Sequence, residues 1–220
     1  MSDSIVLQLQ QEAMNSNSDI LNLLRKAFLV AKKLHIKEFE QWLNQELNGY
    51  NNLEEIPDYR KIKGALKAYN SYYGWINVIT SSREEKFLSK VPIYNPIASL
   101  KDMCFNNSHS NQATLQLNGE LNQLFCEMCD FRTQYAIMFA NNQICDIIEK
   151  VKNVILEWSL NLESNGILGE HLRFSDDELS KVKGNDSINN VSNYYSMNFF
   201  GSVNNTQIQQ STNGSTQLKI

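Results

Sequence analysis

Five side chains between positions 42 and 60 have the chemistry to form a polar site: Trp42, Glu46, Tyr50, Tyr59 and Arg60. A carboxylate and a guanidinium can form a bidentate ion pair, and tyrosine and tryptophan add hydrogen-bond donors to it. In a structural interpretation, Trp42 fills the core while Arg60 pairs with Glu46 or a nearby carboxylate and fixes the loop to the helices. In a functional interpretation, the same groups line a small pocket or a partner surface. We favour the structural interpretation and keep all five residues as candidate binding residues.

The cysteines could supply metal or redox chemistry. Cys126 and Cys129 have the spacing of half a zinc site or of a redox pair, but Cys104, Cys145 and His109 complete no second CxxC or HxxxH motif. Because free cysteine behaves as a small hydrophobic residue, we predict core or partly buried thiols, with no metal and no cofactor. In a chain without a secretory signal, all four are expected to be reduced rather than to form a disulfide framework.

Strong catalytic signatures are missing from the sequence. His35, His109 and His171 are isolated, and none neighbours a Ser or Cys in a nucleophile motif. The sequence contains no glycine-rich phosphate loop, GxSxG or HExxH motif. No catalytic residue is predicted, and an enzyme is less favoured than an interaction module.

Composition and charge limit the partners. The 220 residues are 42% apolar and 20% charged, as in a globular protein, and the formal net charge is −4. Nucleic-acid binding usually requires a basic stripe, which the sequence does not display, so nucleic acid is not an expected partner. No window reaches the roughly 20 apolar residues of a membrane span, and we expect a cytoplasmic protein without membrane contact.

Apolar periodicity predicts the elements that position these side chains. Helices are predicted from Ser4 to about Asn15, from Asp19 to about Leu34, and from Lys37 to Asn48, where Asn48-Gly49 is a helix stop. Further along the chain, strands are predicted at 61–68, 75–79, 115–117 and 131–139, with a hairpin loop at 70–74. A short helix is predicted over 96–103 and a polar loop over 106–112, and residues 121–125 fit either type of element. A long helix covers about 144–162, before Asn165-Gly166.

The predicted fold is α+β: an N-terminal helical bundle and a long C-terminal helix packed with a small antiparallel sheet, followed by a polar β-forming tail. We place the folded domain at 1–182 and the tail at 183–220, where Asn, Ser, Thr and Gln dominate. Strand-forming residues among amide side chains can form ladders between copies, so the tail is a predicted oligomerisation segment. Its candidate contact residues are Tyr194, Phe199, Phe200, Val203, Ile208 and Leu218.

The order of several short motifs is similar to that of the AbiTii family of bacterial abortive-infection proteins. The resemblance covers most of residues 5 to 180, and the following segments carry it: Leu24-Arg25-Lys26-Ala27, Trp42-Leu43-x-x-Glu46-Leu47-Asn48-Gly49-Tyr50, Pro57-Asp58-Tyr59-Arg60, Gly64, Leu160-Asn161-Leu162-Glu163, Gly166-Ile167-Leu168-Gly169-Glu170 and Phe174-Ser175. The resemblance implies a role in defence against phage and brings no chemistry with it.

Three hypotheses follow. The first is an interaction and assembly module that binds a phage or host component and self-associates through its tail. The second is a toxin enzyme, a nuclease or nucleotide hydrolase, in which Glu46, Tyr59 and Arg60 line the site. The third is a small-molecule sensor that uses aromatic residues of the segment 69–75, such as Tyr72, to stack on a ring. We favour the first.

Overall fold

Three helices open the chain, and the capping signals of the sequence set their first residues. The structure, a computed structural model, describes residues 4–79, 81–106 and 111–195. The helices are α1 (Ile5–Met14), α2 (Ile20–Lys33) and α3 (Lys37–Asn48). The side chains of Ser4 and Asp19 cap α1 and α2 by accepting hydrogen bonds from backbone amides of the first turn. The predicted N-terminal bundle is confirmed to within one or two residues at each end.

Six strands form two antiparallel sheets. The strands are β1 (Lys61–Ile62), β2 (Ala65–Asn70), β3 (Gly74–Asn77), β4 (Val91–Pro92), β5 (Gln112–Gln116) and β6 (Tyr135–Ala140). β1 pairs with β4, while the larger sheet has the strand order β3-β2-β6-β5. Side chains of a strand alternate between its faces, and Leu66, Ala68, Tyr135 and Ile137 are buried on the inner face. On the opposite, outer face, Ala65 and Tyr69 are exposed, whereas Ala136 is buried.

Gly64 divides the strand that the alternating pattern predicts over 61–68 into two. A Cβ atom at Gly64 would lie 2.2 Å from Cγ2 of Ile137, so the chain can pass β6 here only with glycine. The Gly64 amide bonds instead to the Leu88 carbonyl, at 2.8 Å. The chain therefore leaves the small sheet at this point and enters the large one.

The long helix α7 (Asn142–Ser164) is the element around which the domain packs. It lies against α1, α2, β6 and the helix α5 (Ile97–Asn106). Trp158 is fully buried and stacks on Phe39 of α3, with ring centroids 4.1 Å apart. The helix ends at Asn165-Gly166, as predicted. Within the described residues, no helix is long and apolar enough to cross a membrane.

The sequence analysis assigned none of the remaining helices of the described residues. They are α4 (Ser82–Leu88), α6 (Gly119–Met128), α8 (Asp176–Val182), α9 (Asp186–Asn189) and α10 (Ser192–Tyr195). The undetermined residues 121–125 thus belong to a helix, α6. α9 and α10 lie beyond position 182 and pack on α7, with Ile188, Val191 and Tyr194 buried. The described fold confirms the predicted α+β class, whereas the residues of α9 and α10 are helical instead of β-forming. The tail residues 196–220 lie outside the described residues.

One cysteine prediction is wrong. Cys104 of α5 and Cys145 of α7 form a disulfide across 41 positions of sequence, with Cα atoms 5.4 Å apart. The two helices pack against each other, which brings the cysteines within bridging distance. Sequence spacing alone could not show this, because the pair depends on how α5 crosses α7. Cys126 and Cys129 are free thiols, each half-buried.

The disulfide should stabilise the fold through the chain entropy of the unfolded state. For a closed loop of 41 residues, the entropic model gives about 3 to 4 kcal/mol. We expect Cys145→Ser to lower the free energy of unfolding by up to that amount in urea titrations without reductant. Cys126→Ser is the matched control and should leave the stability nearly unchanged. Equal stability of wild type with and without dithiothreitol, or a thiol titration that finds four free cysteines, would contradict the bridge.

Candidate functional site

The Glu46 carboxylate is the centre of a buried polar network between α3 and the turn that precedes β1. Oε1 accepts hydrogen bonds from the hydroxyl groups of Tyr50 and Tyr59, at 2.7 and 2.6 Å, and from Nε of Arg60, at 3.0 Å. Oε2 accepts from Nη2 of Arg60 at 2.5 Å. The side chains of Glu46 and Arg60 are both 0% exposed. The ion pair is therefore bidentate and completely removed from water.

Trp42 completes this network from the preceding turn of α3. Its Nε1 donates to the Tyr59 hydroxyl at 2.8 Å, and its ring contacts Phe39 edge to face. α3 places Trp42 and Glu46 on one face because they are four residues apart, and Tyr50 follows just after the helix. The short 3₁₀ turn at Asp58–Arg60 brings up the other two side chains. All five predicted residues meet in one cluster, and Arg60 pairs with Glu46 as the structural interpretation proposes.

Arg60 also ties this cluster to the segment 93–96. Its Nη1 donates to the carbonyl oxygens of Ile93 and Asn95, at 3.3 and 2.7 Å. The Tyr50 amide donates to the carbonyl of Tyr94 at 2.9 Å. A Cβ atom at Gly49, whose φ is +90°, would lie 2.8 Å from that same carbonyl oxygen. Gly49 is therefore required both to end α3 and to let the segment approach.

Burial and charge set the protonation states of the network. Burial by itself lowers the pKa of Arg60, but the adjacent Glu46 carboxylate outweighs it and raises that pKa above its ordinary value. Burial, together with the negative charge of Glu46, raises the pKa of the Tyr50 and Tyr59 hydroxyls well above 10. Both phenols thus stay neutral donors and Arg60 stays cationic. The arrangement positions backbone segments; its carboxylate is occupied by four hydrogen bonds and is not free to act as a base.

An apolar groove of about 610 Å³ lies beside this network. Its walls come from α4, β4, β5 and α6 and from the segment that Arg60 holds. The exposed apolar side chains in it are Leu53, Phe87, Tyr94 and Leu121, and Lys86 and Lys90 also line it. The sequence analysis missed this groove because its helices α4 and α6 were not assigned. The helical spacing of Leu121, Leu124, Phe125 and Met128 is the signal that would have found α6.

The other predicted residues lie apart from the network. Cys126 donates from Sγ to the Thr133 carbonyl at 3.3 Å, and Cys129 is close to Tyr135, whose pKa burial and this thiol raise to about 12. Among the described residues, no three His, Cys, Asp or Glu side chains cluster so as to hold a metal. His35 has a left-handed backbone conformation, φ +58°, just after α2. His171 does so as well, and His109 lies outside the described residues.

The predicted oligomerisation residues fall into two groups. Tyr194 is 5% exposed, its hydroxyl donates to the Ser187 carbonyl at 2.5 Å, and its ring meets Phe39 edge to face. That packing gives Tyr194 a role inside the domain. The other five lie outside the described residues: Phe199, Phe200, Val203, Ile208 and Leu218.

The first prediction from this network concerns charge removal. Glu46→Gln keeps the shape but leaves Arg60 as an uncompensated buried charge, which should lower the free energy of unfolding by about 3 to 5 kcal/mol. Glu38→Gln, at an exposed position of the same helix, is the control and should change it by less than about 0.5 kcal/mol. Urea titration measures both.

A double-mutant cycle tests whether the pair acts as a unit. Arg60→Met should also be strongly destabilising. The double variant, however, should lose much less unfolding free energy than the two single variants together, because no unpaired buried charge remains in it. Additive losses would show that the two side chains do not depend on each other.

Alkaline pH provides the second prediction. The pKa values of Tyr50 and Tyr59 are raised in the folded state, so the unfolded chain loses these protons first, near pH 10. Their contribution is complete below that pH and is lost as pH rises towards the folded values, at about 1.4 kcal/mol per pH unit for each tyrosine. Tyr50→Phe and Tyr59→Phe should each make the fall in stability above pH 10 shallower, measured by urea titration. Tyr72→Phe, which removes a hydroxyl at an exposed turn position outside the network, is the matched control.

Comparison with known proteins identifies the family of this chain. A family model described as AbiTii matches residues 4–186, which includes the whole Glu46–Arg60 network. Searches of curated proteins and of solved structures find no match. The matched region covers most of the 220 residues. The chain therefore belongs to the AbiTii family, whose name associates it with abortive infection.

Proposed function

We propose that this chain acts in phage defence, in the bacterial cytoplasm, as an interaction and assembly module. The domain binds a phage or host component, and the tail of one copy occupies the apolar groove of another. The observation that carries the proposal is the groove itself. Leu53 and Phe87 are about half exposed there, and contiguous exposed apolar surface of this kind marks interaction sites.

The path of the chain supports the tail as the occupant. Tyr195, the last described residue, packs against Tyr59 with ring centroids 5.9 Å apart, so the tail leaves the domain beside the network that holds the groove wall. Twenty-five residues follow, and they include the apolar Phe199, Phe200 and Val203 but no Asp or Glu. The apolar side chains of the tail, which stand among polar amides, can occupy an apolar groove. A tail in a neighbour's groove is a heterologous contact, which can close a ring or extend a chain of subunits.

The toxin-enzyme hypothesis requires Glu46, Tyr59 and Arg60 to meet a substrate. Their polar atoms are hydrogen-bonded to one another, and the carboxylate and guanidinium are fully buried. A substrate would have to break these bonds before any of the groups could act. The described residues thus favour the assembly proposal.

The absolute mass of the purified full chain tests this proposal. We expect light scattering after size exclusion to give an oligomer for the full chain and a smaller species for residues 1–195. That truncation keeps α9 and α10, which pack on the domain. In phage plating assays, the truncated protein should no longer protect. A monomeric full chain, or a truncated protein of unchanged subunit number, would refute the role of the tail.

Point variants in the full chain test the groove separately. Phe87→Asp and Leu121→Asp place a charge in the groove and should reduce the mass as the truncation does. Ile79→Asp introduces the same charge at a side chain that is 98% exposed outside the groove, and should keep the oligomer. An oligomer that survives both groove changes would show that the tail binds elsewhere.

A further inference from the structure

Among the described residues, the outer face of the four-stranded sheet carries exposed side chains and is separate from the groove. Ala65, Lys67 and Tyr69 of β2 point to this face, since the residues between them point into the core. Across the sheet, Lys67 lies opposite Ala136 and Ala65 opposite Met138, while Tyr69 lies opposite Trp75. None of these side chains belongs to the groove.

The charge of this face is opposite to that of the protein. The chain has 24 acidic and 20 basic residues, yet residues 63–79, which include β2 and β3, contain two lysines and no Asp or Glu. Residues 111–119 and 131–145, which include β5 and β6, also contain neither acid. Lys63 is exposed and Lys67 half-buried, and the latter donates to the side chain of Asn77 on the same face. A face without carboxylates in an acidic protein suits an anionic partner.

Aromatic rings lie at one end of this face. Tyr69 and Trp75 contact each other edge to face, with centroids 5.4 Å apart and planes at 71°, and Tyr69 remains 45% exposed. At the tip of the β2–β3 hairpin, Tyr72 and Tyr73 are 91% and 84% exposed. The planes of aromatic side chains are surfaces on which nucleic-acid bases stack.

A shallow trough of about 590 Å³ continues from the lysines towards the start of α7. Ala65 and Ala140 leave room in it, while Lys63, Lys67 and Gln143 provide polar walls. From Tyr69 to Ala65, β2 advances four residues, or roughly 13 Å at 3.3 Å per residue, and Lys63 lies just beyond its end. The face therefore offers a path for several units of an extended polymer, with stacking surfaces at one end and cations along it.

We propose that the outer sheet face binds single-stranded nucleic acid, with bases stacked on Tyr69 and the hairpin tyrosines and with phosphates against Lys63 and Lys67. The sequence analysis did not expect nucleic acid, because the lysines form no contiguous stripe; the strands place them on one surface. A single strand fits better than a duplex, whose bases are already paired and stacked. Single-stranded nucleic acid would be the phage or host component that the proposed function does not identify. The binding site itself does not depend on the proposed function; only its biological role rests on it.

Fluorescence anisotropy of the full chain with a labelled single-stranded 12-mer, DNA or RNA, tests this site. We expect saturable binding that weakens with salt. In the double variant Lys63→Glu/Lys67→Glu, affinity should fall at least about tenfold, and the slope of log K against log salt should decrease by about 1.4 for two lost phosphate contacts. Tyr72→Ser/Tyr73→Ser should weaken binding at high salt as well as low, because stacking is less sensitive to salt.

The control for charge is Lys183→Glu, which reverses an exposed lysine outside the sheet, and it should bind as the wild type does. No binding at 100 µM protein, equal binding of a duplex of the same sequence, or an equal loss in Lys183→Glu would overturn the proposal. Binding of free nucleotides but not of the 12-mer would also overturn the proposal. So would binding of an acidic protein but not of the 12-mer. Light scattering of the same variants keeps the two proposals separate, since the sheet variants should retain the mass of the wild-type assembly whether or not they bind.

Discussion

Removing a carboxylate or a guanidinium from water costs several kcal/mol for each ion, and Glu46 and Arg60 both lie completely inside the protein. The pair is tolerable because both oxygens of the carboxylate accept hydrogen bonds and because Nη1 of Arg60 donates to two backbone carbonyls. Those carbonyls belong to the segment 93–96, which is distant in sequence. The need to satisfy two buried charges thereby fixes the end of α3, the turn before β1 and one wall of the groove in a single arrangement. A partly formed network would be worse than none, so these three segments must assemble together.

This constraint explains what the sequence could predict about the site. Trp42, Glu46 and Tyr50 are close in sequence, and helical periodicity puts two of them on one face. The Tyr59-Arg60 pair follows after a short loop, so a pairing of Arg60 with Glu46 could be inferred from charge alone. The acceptors at Ile93 and Asn95 could not be inferred, because backbone carbonyls are present at every residue and carry no sequence signal. The groove was missed for a different reason, because α4 and α6, which form two of its walls, were not assigned.

The fold prediction was accurate where the signal lies within one segment, and it failed where the structure depends on packing between segments. α2, α3 and α7 have wide apolar stripes and clear stops, and their bounds could be read from the chain. α6 is 10 residues long, with Phe125 its buried apolar residue, so its helical spacing extends over too few turns to exclude a strand. The division of the first strand at Gly64 and the Cys104–Cys145 bridge both result from packing between elements. No pattern within one segment reports which residue of another segment will lie against it.

Assembly through the groove would strengthen nucleic-acid binding at the sheet face. Two lysines and a few tyrosines on one sheet supply a small number of phosphate contacts, and affinity from so few contacts is lost readily at physiological salt. Copies joined through their tails would present several such faces to one strand, and each further contact would then be intramolecular, with an effective concentration that can reach the millimolar range. Because the groove and the sheet face share no residue named in either proposal, assembly need not alter the binding face itself. A weak site on each subunit would then respond to long single strands and ignore free nucleotides, a discrimination that contact chemistry alone does not provide.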